Sequence, residues 1–447
     1  MHILLLIALF CAGSQALPFP DKVNQPYNGT IWAVLTAGSN GYYNYRHQAD
    51  IYHAYQLLRS HGIPEKNIIV FHYDDIANNS QNPNKGIVIN KPGGSDVYHG
   101  VPKDFTGKDV TPENFLAVLK GDSDLKASGK KVVESGPNDH IFVFFDDHGG
   151  PDTVSFPHSI LHGKQLNDAL KEMHQNKRYG KLVFYLEACY AGSMFEKYLD
   201  SSMNIFVTTA ANSHQSSYAC YYDSTVHTYV GDLYSVNWME NSDEVDIWGE
   251  SLQKQFEIVK QKTNKSVVCE FGDLNMAQLP VAEFQGPKKM SEYMEERVVP
   301  KDAVPSQDVP ILVAQQRLLS AQNDLDKQIF ADELDLLVKG RQMLDNHFEV
   351  YVDSVYHLIS GYKNEIINGV QKVNNVDCYY QLTDTFHNKC LNIGENTYAL
   401  QKLNIFVNIC EDFSKSSDES VKTAEAVDRL EDYCQHMFVL SGDHLIV

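Results

Sequence analysis

The sequence predicts an α/β fold with a mainly parallel sheet flanked by helices, followed by an all-α C-terminal region. Nearly continuous apolar runs alternate with helical patterns over residues 27–285, as is typical of strands covered on both faces. Prolines and charged residues without apolar periodicity lie between Gln285 and Pro310, which is typical of an exposed linker. From about Ile311 onward the apolar spacing is helical.

Each predicted strand of the sheet is a short apolar run, and several of these runs end in Gly or Asp. In chain order the runs are TIWAVLTAG, NIIVFHYDD, HIFVFFDDHGG, KLVFYLEAC and NIFVTTAA. Because a run this short and this apolar is buried along its whole length, we expect these strands in the interior of the sheet.

The predicted helices between the strands carry recognisable boundaries. The stretch HQADIYHAYQLLRSHGIP has helical apolar spacing and stops at Gly-x-Pro. Thr111 is a suitable N-cap for a helix whose first turn contains Pro112. The stretch VDIWGESLQKQFEIVKQK predicts an amphipathic helix that closes this region.

The composition limits the classes of partner. A net charge of −21, from 58 acidic and 37 basic residues, argues against nucleic acid as the main partner, because phosphate binding needs a basic face. The excess of acidic residues suits an acidic or extracellular compartment.

The N-terminus predicts entry into the secretory pathway. Residues 1–16 are a short apolar run that ends in small residues, as in a cleaved signal peptide, and residues 17–26 would form a short pro-segment. Sequons at Asn28, Asn78 and Asn264 permit glycosylation. No later segment is long and apolar enough to span a membrane, and the C-terminus lacks the tail of a lipid anchor, so we expect no membrane anchor.

The cysteines divide into two groups once Cys11 is removed with the signal peptide. Four lie in the tail, where a secreted chain would form two disulfides, and their spacing leaves three pairings open: Cys378, Cys390, Cys410 and Cys434. They lie too far apart for the CxxC pairs of a zinc site, so we expect no metal. Cys189, Cys220 and Cys269 form an odd set, so at least one should be a free thiol.

Polar side chains gather where the predicted strands end. Parallel strands point their carboxyl ends to one edge of the sheet, and ligands bind there. We therefore expect one crevice to collect residues that are far apart in the chain: Asn44, Arg46, His47, Asp147, His148, Gly149, Glu187, Cys189, Ser216 and Ser217.

Cys189 and His148 are the candidate reactive pair. Alone, a cysteine after an apolar strand is more often a small buried hydrophobe, and a single histidine is usually a surface or core residue. Here both follow neighbouring strands and both lie next to glycine, which lets a substrate approach the backbone. Histidine can accept the thiol proton, and the thiolate is the reactive form.

Several motifs resemble the legumain family of asparaginyl endopeptidases, which belongs to the caspase-like clan of cysteine proteases. They are TAGSNGYYNYRHQAD, YDDIA, GIVIN, DVTPENFLAVL, DHGG, EAC, TTAA, SSYACYYD and YSVNWMENSD. The resemblance extends from about Ile31 to Gly286 and returns more loosely in the tail. It implies a caspase-like catalytic domain over 27–289, a linker and activation region over 290–323, and a helical inhibitory prodomain over 324–447.

The resemblance implies a set of catalytic roles. Cys189 would be the nucleophile, His148 the general acid and base, and Asn44 the residue that orients His148. The backbone N–H groups of Gly149 and Cys189 would form the oxyanion hole.

The resemblance also implies a specificity pocket for asparagine, lined by Arg46, His47, Glu187, Ser216 and Asp232. An asparagine amide both accepts and donates hydrogen bonds, so it suits a pocket of mixed charge. Glutamine would be longer by one methylene, and an ionised aspartate would meet two carboxylates. A protonated aspartate resembles asparagine, so cleavage after Asp is expected at acid pH, near the ordinary carboxyl pKa of about 3.9.

The sequence departs from the family pattern directly after the nucleophile, and two other residues have no role that the sequence itself supports. After the nucleophile, legumains commonly carry Glu-Ser, whereas this chain carries Tyr190 and Ala191, which affects subsite preference and the balance of hydrolysis and peptide ligation. Asp147 precedes His148 as in the family, where it is thought to form a succinimide. Cys269 receives no role.

The tail is expected to hold the enzyme inactive until it is cut. Asn323 matches the implied specificity and lies where legumain zymogens are cleaved, although it is also one asparagine among many. The family implies the pairs Cys378–Cys410 and Cys390–Cys434. The tail is acidic, so its composition does not support a simple basic plug on an acidic cleft. Acid would instead loosen the tail by protonating carboxylates paired across the interface, and we expect self-activation at low pH.

Two other functions remain open from the sequence. A related subunit of a lipid-anchor (GPI) transamidase would be expected to carry a membrane anchor after the catalytic domain. A non-catalytic secreted binding protein would be expected to lack the Cys or the His. For the protease, the expected partners are protein and peptide substrates, its own prodomain and cystatin-type inhibitors; no cofactor is expected, and the location would be endolysosomal or secreted.

Overall fold

The structure is a computed structural model that describes residues 28–287, 300–436 and 438. The expected signal peptide over 1–16 and the pro-segment over 17–26 lie outside the described residues, as does much of the first half of the expected linker.

Within the described residues, the N-terminal region is built on one six-stranded sheet and two three-stranded sheets, one of which takes one strand from the linker. In chain order the strands are β1 (Ile31–Ala37), β2 (Ile68–Phe71), β3 (His140–Asp146), β4 (Gly149–Gly150), β5 (Thr153–Phe156), β6 (Ser159–His162), β7 (Lys181–Glu187), β8 (Ile205–Thr209), β9 (Tyr218–Asp223), β10 (Thr228–Asp232), β11 (Cys269–Gly272) and β12 (Val304–Pro305).

The main sheet has the strand order β11-β8-β7-β3-β1-β2, and only its edge strand β11 runs antiparallel to its neighbour. β4, β5 and β6 form a small sheet directly after β3. β9, β10 and β12 form the other small sheet, and β12 adds the linker to it.

Helices cover both faces of the main sheet and form the C-terminal region. They are α1 (Tyr45–Ser60), α2 (Pro112–Lys120), α3 (Ser123–Ala127), α4 (Gly163–Gln175), α5 (Leu233–Glu244), α6 (Leu252–Lys262), α7 (Ala282–Gln285), α8 (Val309–Ser320), α9 (Asp324–Val355), α10 (Lys363–Asn368), α11 (Val376–Thr385), α12 (Ala399–Lys402), α13 (Asn404–Phe413) and α14 (Glu419–His436).

Alternate residues of the central strands enter two separate apolar cores. On β3, Phe142 and Phe144 face the core formed with α1, α5 and α6. Ile141, Val143 and Phe145 face the opposite core, formed with α2 and α4. Because side chains on a strand alternate between its faces, strands that are apolar throughout become the middle layer of the domain.

The C-terminal helices have a core of their own. The disulfide between Cys378 and Cys410 joins α11 to α13. The disulfide between Cys390 and Cys434 joins the helical turn Phe386–Cys390, which directly follows α11, to α14. A bridge that closes a long loop removes freedom from the unfolded chain and so stabilises a small helical unit. These are the two pairs that the family resemblance implied.

The predicted fold class is confirmed, and two details differ from the expectation. The closing helix begins only at Leu252, where the Ser251 side chain caps it, so the preceding Val245–Gly249 stretch is not helical. The expected exposed linker is not exposed near its end, because Ser306 and Val309 are buried once β12 joins β9. Within the described residues, no helix is long and apolar enough to cross a membrane.

Candidate active site

The register of the central strands brings the two candidate reactive residues to one edge of the sheet. Asp146 at the end of β3 pairs with Glu187 at the end of β7. The N–H of Asp147 donates to the Glu187 carbonyl at 3.1 Å and continues the ladder past the strand ends. His148 and Cys189 therefore each follow one of two paired residues by the same two positions.

Gly149 lies against the backbone of Cys189. A Cβ at position 149 would lie 2.3 Å from the Cys189 carbonyl oxygen, closer than any real contact, so glycine is required there for the approach of the two chains. The expected oxyanion donors, Gly149 and Cys189, thus lie side by side. This placement agrees with the sequence prediction of a shared crevice.

His148 is held by Asn44. Its Nε2 lies 2.7 Å from Asn44 Oδ1, and Asn44 Nδ2 donates to the Asn40 carbonyl at 2.9 Å, which fixes the orientation of the amide. Oδ1 can only accept, so Nε2 carries the proton and Nδ1 keeps its lone pair. Burial, aided by the charges of Arg46 and Arg341, lowers the pKa of His148 and so favours the neutral imidazole.

The Cys189 sulfur is buried and surrounded by hydroxyl and amide groups. It lies 3.2 Å from Ser216 Oγ, and the Ser217 N–H donates to it at 3.3 Å. Burial raises the pKa of the thiol, while the contacts with Ser216 and Ser217 oppose that shift. Burial thus favours the neutral thiol, and Ser216 is placed beside the sulfur.

Tyr190 shapes the turn after Cys189. Its φ of 56° lies in the left-handed region, and its N–H donates to the Gln215 carbonyl at 2.7 Å. Its hydroxyl accepts a hydrogen bond of 3.1 Å from Asn404 Nδ2 in the C-terminal region. The residue that departs from the family pattern thus contacts the prodomain.

Arg46 and Asp232 form the charged centre of the expected specificity pocket. Arg46 Nε donates to Asp232 Oδ1 at 2.9 Å, and both side chains are buried. A second guanidinium nitrogen, Nη2, donates to Ser306 Oγ at 2.5 Å. The linker therefore occupies a donor that the sequence analysis assigned to the substrate.

Glu187 is not a solvated strand end but a buried carboxyl group. Its Oε2 accepts from the N–H and Oγ of Ser235 at 3.1 and 3.0 Å. Its Oε1 is buried without a hydrogen-bond partner among the described residues. Burial, together with Asp232 and Asp50, raises the pKa of Glu187. Oε2 is thus occupied by the hydrogen bonds with Ser235, and Oε1 remains available to accept from another donor.

His47 links the pocket to the reactive pair. Its ring meets the His148 ring edge to face at a centroid distance of 4.9 Å, and Ser39 Oγ lies 2.7 Å from its Nδ1. Asp147 and Asp232 lie 3.4 and 3.7 Å from its two nitrogens. Burial, followed by the charge of Arg46, lowers the pKa of His47.

The sequence analysis missed four residues that complete this site: Asp50, Asp146, Ser235 and Ser306. Asp50 accepts from the Asp232 N–H at 2.9 Å and lies one helical turn after Arg46, a spacing that could have revealed it. Asp146 is fully buried at the end of β3. Nothing in the sequence near Ser235 or Ser306 indicates its contact with the pocket.

Metal-ligand types also occur in the site. Ligand atoms of His47, Asp147 and His148 lie within 4.8 Å of one another. Each of these nitrogens and oxygens belongs to the reactive centre described above.

The C-terminal region covers the crevice. The Leu400 carbonyl packs so closely on Gly150 that a Cβ at 150 would lie 2.7 Å from it. The hydroxyl of Tyr379 donates to the Pro151 carbonyl at 2.5 Å, and that of Tyr380 donates to Asp152 at 2.7 Å. These contacts lie immediately after His148 in the chain.

The remaining predicted site residues lie at the surface. Asn323 is exposed and forms the N-cap of α9. The sequon asparagines Asn28, Asn78 and Asn264 are all exposed, as attachment of a glycan requires.

Comparisons with known proteins agree with this arrangement. The peptidase C13 family model matches residues 31–287, and the legumain prodomain model matches residues 332–427. Legumain from Rattus norvegicus is 44% identical over 393 residues, covering 86% of this chain and 89% of the relative. Hemoglobinase from Schistosoma japonicum is 40% identical, with coverages of 85% and 89%. A vacuolar-processing enzyme from Vicia sativa is 38% identical, with coverages of 87% and 84%.

Among solved structures, caspase-1 from Spodoptera frugiperda aligns with a TM-score of 0.35 at 11% identity, over 62% of this chain and 100% of that chain. That likeness is too distant to support an argument. The family models and the relatives, by contrast, extend across both the catalytic region and the tail. The chain belongs to the peptidase C13 family, that of legumain, and carries a legumain prodomain behind its catalytic domain.

Proposed function

We propose that the chain is a cysteine endopeptidase zymogen in which Cys189 attacks the peptide bond after asparagine and His148 transfers the proton. The observation that carries these roles is the pairing of Asp146 with Glu187, which places His148 and Cys189 at equivalent positions of neighbouring strand ends. The bond from Asn44 to His148 supports the proton-transfer role, because it leaves Nδ1 free to accept.

The reaction follows from these groups. The thiol proton passes to His148 Nδ1 as the sulfur bonds to the scissile carbonyl carbon, whose oxygen becomes negative. The N–H groups of Gly149 and Cys189 stabilise that oxygen. Collapse breaks the C–N bond, and the imidazolium gives its proton to the leaving amine. Water, deprotonated by His148, then hydrolyses the thioester.

The pocket explains a preference for asparagine. Its amide oxygen would accept from the Arg46 guanidinium, and its NH₂ would donate to Glu187 Oε1, the buried oxygen that still lacks a donor. A buried acceptor left unpaired costs about 1–3 kcal/mol, so binding a correctly placed amide is favoured. An ionised aspartate would be repelled by Glu187 and Asp232, so cleavage after Asp belongs to acid pH.

The C-terminal region acts as the inhibitor. It covers the crevice at Gly150 and Tyr190, and the linker occupies Arg46 through Ser306. Cleavage after Asn323 at low pH would separate the prodomain from the catalytic domain. The exposure of Asn323 supports this site.

The chain would act in the secretory route, in an endolysosomal compartment or after secretion. The exposed sequons support this, as does the name of the relative from Vicia sativa, a vacuolar-processing enzyme. Its partners would be protein substrates and, as a further proposal, cystatin-type inhibitors.

An assay with a fluorogenic Asn peptide tests the function. The acid-treated chain should cleave after Asn, and Cys189→Ala should not. A transamidase-like subunit would release product only with an added amine nucleophile. A binding protein would leave the peptide intact in both forms.

A further inference from the structure

The side chain of Asn323 is engaged at both ends of its amide. Asn323 is the N-cap of the 32-residue helix α9, and its Oδ1 accepts from the Asp326 N–H at 2.9 Å. Its Nδ2 donates to Asp326 Oδ2 at 2.7 Å. The bond from the Asp326 N–H is the usual N-cap bond and stabilises the first turn of the helix, and the bond from Nδ2 ties the other end of the amide to the same residue.

The specificity pocket needs the same two groups. Arg46 would donate to the amide oxygen of a bound asparagine, and Glu187 would accept from its nitrogen. An asparagine whose oxygen and nitrogen are both bonded to Asp326 cannot make these contacts. The cap and the pocket are therefore mutually exclusive partners of Asn323.

The backbone around Asn323 is ready for cleavage on one side only. Ala321 and Asn323 are extended, with φ/ψ of −62°/129° and −136°/161°. The following residues are helical from Asp324 onward, so the chain after the scissile bond must unwind before it can enter a cleft.

Unwinding the first turn of α9 disturbs no apolar core. Leu325 is 70% exposed and Ile329 50%, and the first buried residue of the helix is Leu337. Opening this turn is therefore a local event whose cost lies mainly in the cap and the first hydrogen bonds.

We propose that Asp326 controls the selection of Asn323 as a cleavage site, because its hydrogen bonds with the amide must open before the pocket can bind it. This inference rests on the proposed cleavage after Asn323. Since the prodomain covers the crevice of the same molecule, the inference is tested with a second, activated copy as the cleaving enzyme.

The test uses full-length chains that cannot cut themselves. Cys189→Ala zymogen is the substrate, a trace of activated wild-type enzyme is added, and mass spectrometry follows the fragment that ends at Asn323. Adding Asp326→Ala removes the bond from Asn323 Nδ2 to the carboxylate and one first-turn acid, while the backbone N–H of residue 326 can still donate to Asn323 Oδ1. The cleavage rate should rise about fivefold, the effect of one side-chain hydrogen bond and one first-turn charge. Asp335→Ala removes an acid of the same helix, paired with Lys339 at 2.6 Å, and should leave the rate unchanged.

A peptide control separates the cap from a sequence preference of the enzyme. Synthetic peptides of residues 318–329 with Asp or Ala at 326 should be cut at equal rates, because a short peptide holds no stable helix. The inference would be wrong if the zymogens with and without Asp326→Ala were cleaved at equal rates, or if the two peptides showed the same fivefold difference. Either result would leave the proposed cleavage after Asn323 intact. No cut after Asn323 in any zymogen or peptide would overturn the proposed activation site and the inference together.

Discussion

The Nε2 atom of His148 lies 2.7 Å from Oδ1 of Asn44, although 104 positions separate the two residues in the chain. Only Oδ1 can face the ring, because Nδ2 of Asn44 already donates to the Asn40 carbonyl. The contact therefore selects the tautomer of His148 that can accept a proton on Nδ1.

We expect Asn44→Ala to lower kcat about tenfold or more with a smaller change in KM, because the ring then loses its orientation while the pocket remains. Steady-state kinetics with an Asn peptide measure both constants. A variant with unchanged kcat would show that Asn44 does not position His148.

Glu187→Gln should lower kcat/KM for Asn peptides about tenfold to a hundredfold, because an NH₂ donor then replaces the acceptor Oε1 and faces the NH₂ of the substrate. The Ser235 bonds can persist to the new carbonyl oxygen, so the melting temperature should change little. Glu113→Gln at an exposed helix start is the matched control. Unchanged cleavage would remove Glu187 from substrate recognition.

Alkylation should distinguish the cysteines of the zymogen. Cys189 is buried and burial raises the pKa of its thiol, so iodoacetamide should modify it at least about tenfold more slowly before activation than after. Partly exposed Cys269 should react in both forms, and buried Cys220 in neither. Peptide mapping by mass spectrometry reads all three sites. Equal labelling of Cys189 in both forms would contradict coverage by the prodomain.

Acid should weaken docking of the prodomain partly through His148. Burial lowers the pKa of this group in the docked state, so release lets it bind a proton. Docking is thus fully favoured above the ordinary imidazole pKa of about 6.5 and weakens as the pH falls below it. Asp152 acts oppositely, because burial raises its pKa while docked.

The nicked, non-covalent complex of Cys189→Ala chains, followed by size-exclusion chromatography from pH 7 to pH 4.5, measures this release. Adding His148→Ala should reduce the pH dependence of the dissociation constant by up to about tenfold per pH unit, the contribution of one proton. Replacing the exposed His99 should not change it. An identical profile for His148→Ala would assign acid release to other groups.

Most of the sheet could be predicted because its strands are short apolar runs, and strand ends in a parallel sheet share one edge. Cys189, His148 and Glu187 follow such runs, so their common location follows from periodicity and topology. The start of α2 at Pro112 could also be predicted, because it depends on a contact between near neighbours in the chain: the Thr111 side chain accepts from the Asn114 N–H.

The contacts that could not be predicted depend on tertiary packing between distant segments. Ser306 lies in a proline-containing stretch that resembles a linker, and its burial follows only from the pairing of Val304 with Ala219. The hydrogen bond between Tyr190 and Asn404 likewise joins two distant positions, and no sequence pattern around either one indicates the other as its partner.

The pairing of β12 with β9 has a consequence for the order of activation. Ser306 precedes Asn323, so a cut after Asn323 leaves this residue covalently tethered to the catalytic domain and beside Arg46. A tethered competitor acts at a high effective concentration, in the millimolar range for short flexible connections. At the proposed asparagine pocket, incoming peptides must therefore displace an intramolecular competitor, and departure of the prodomain alone does not free Arg46 from Ser306.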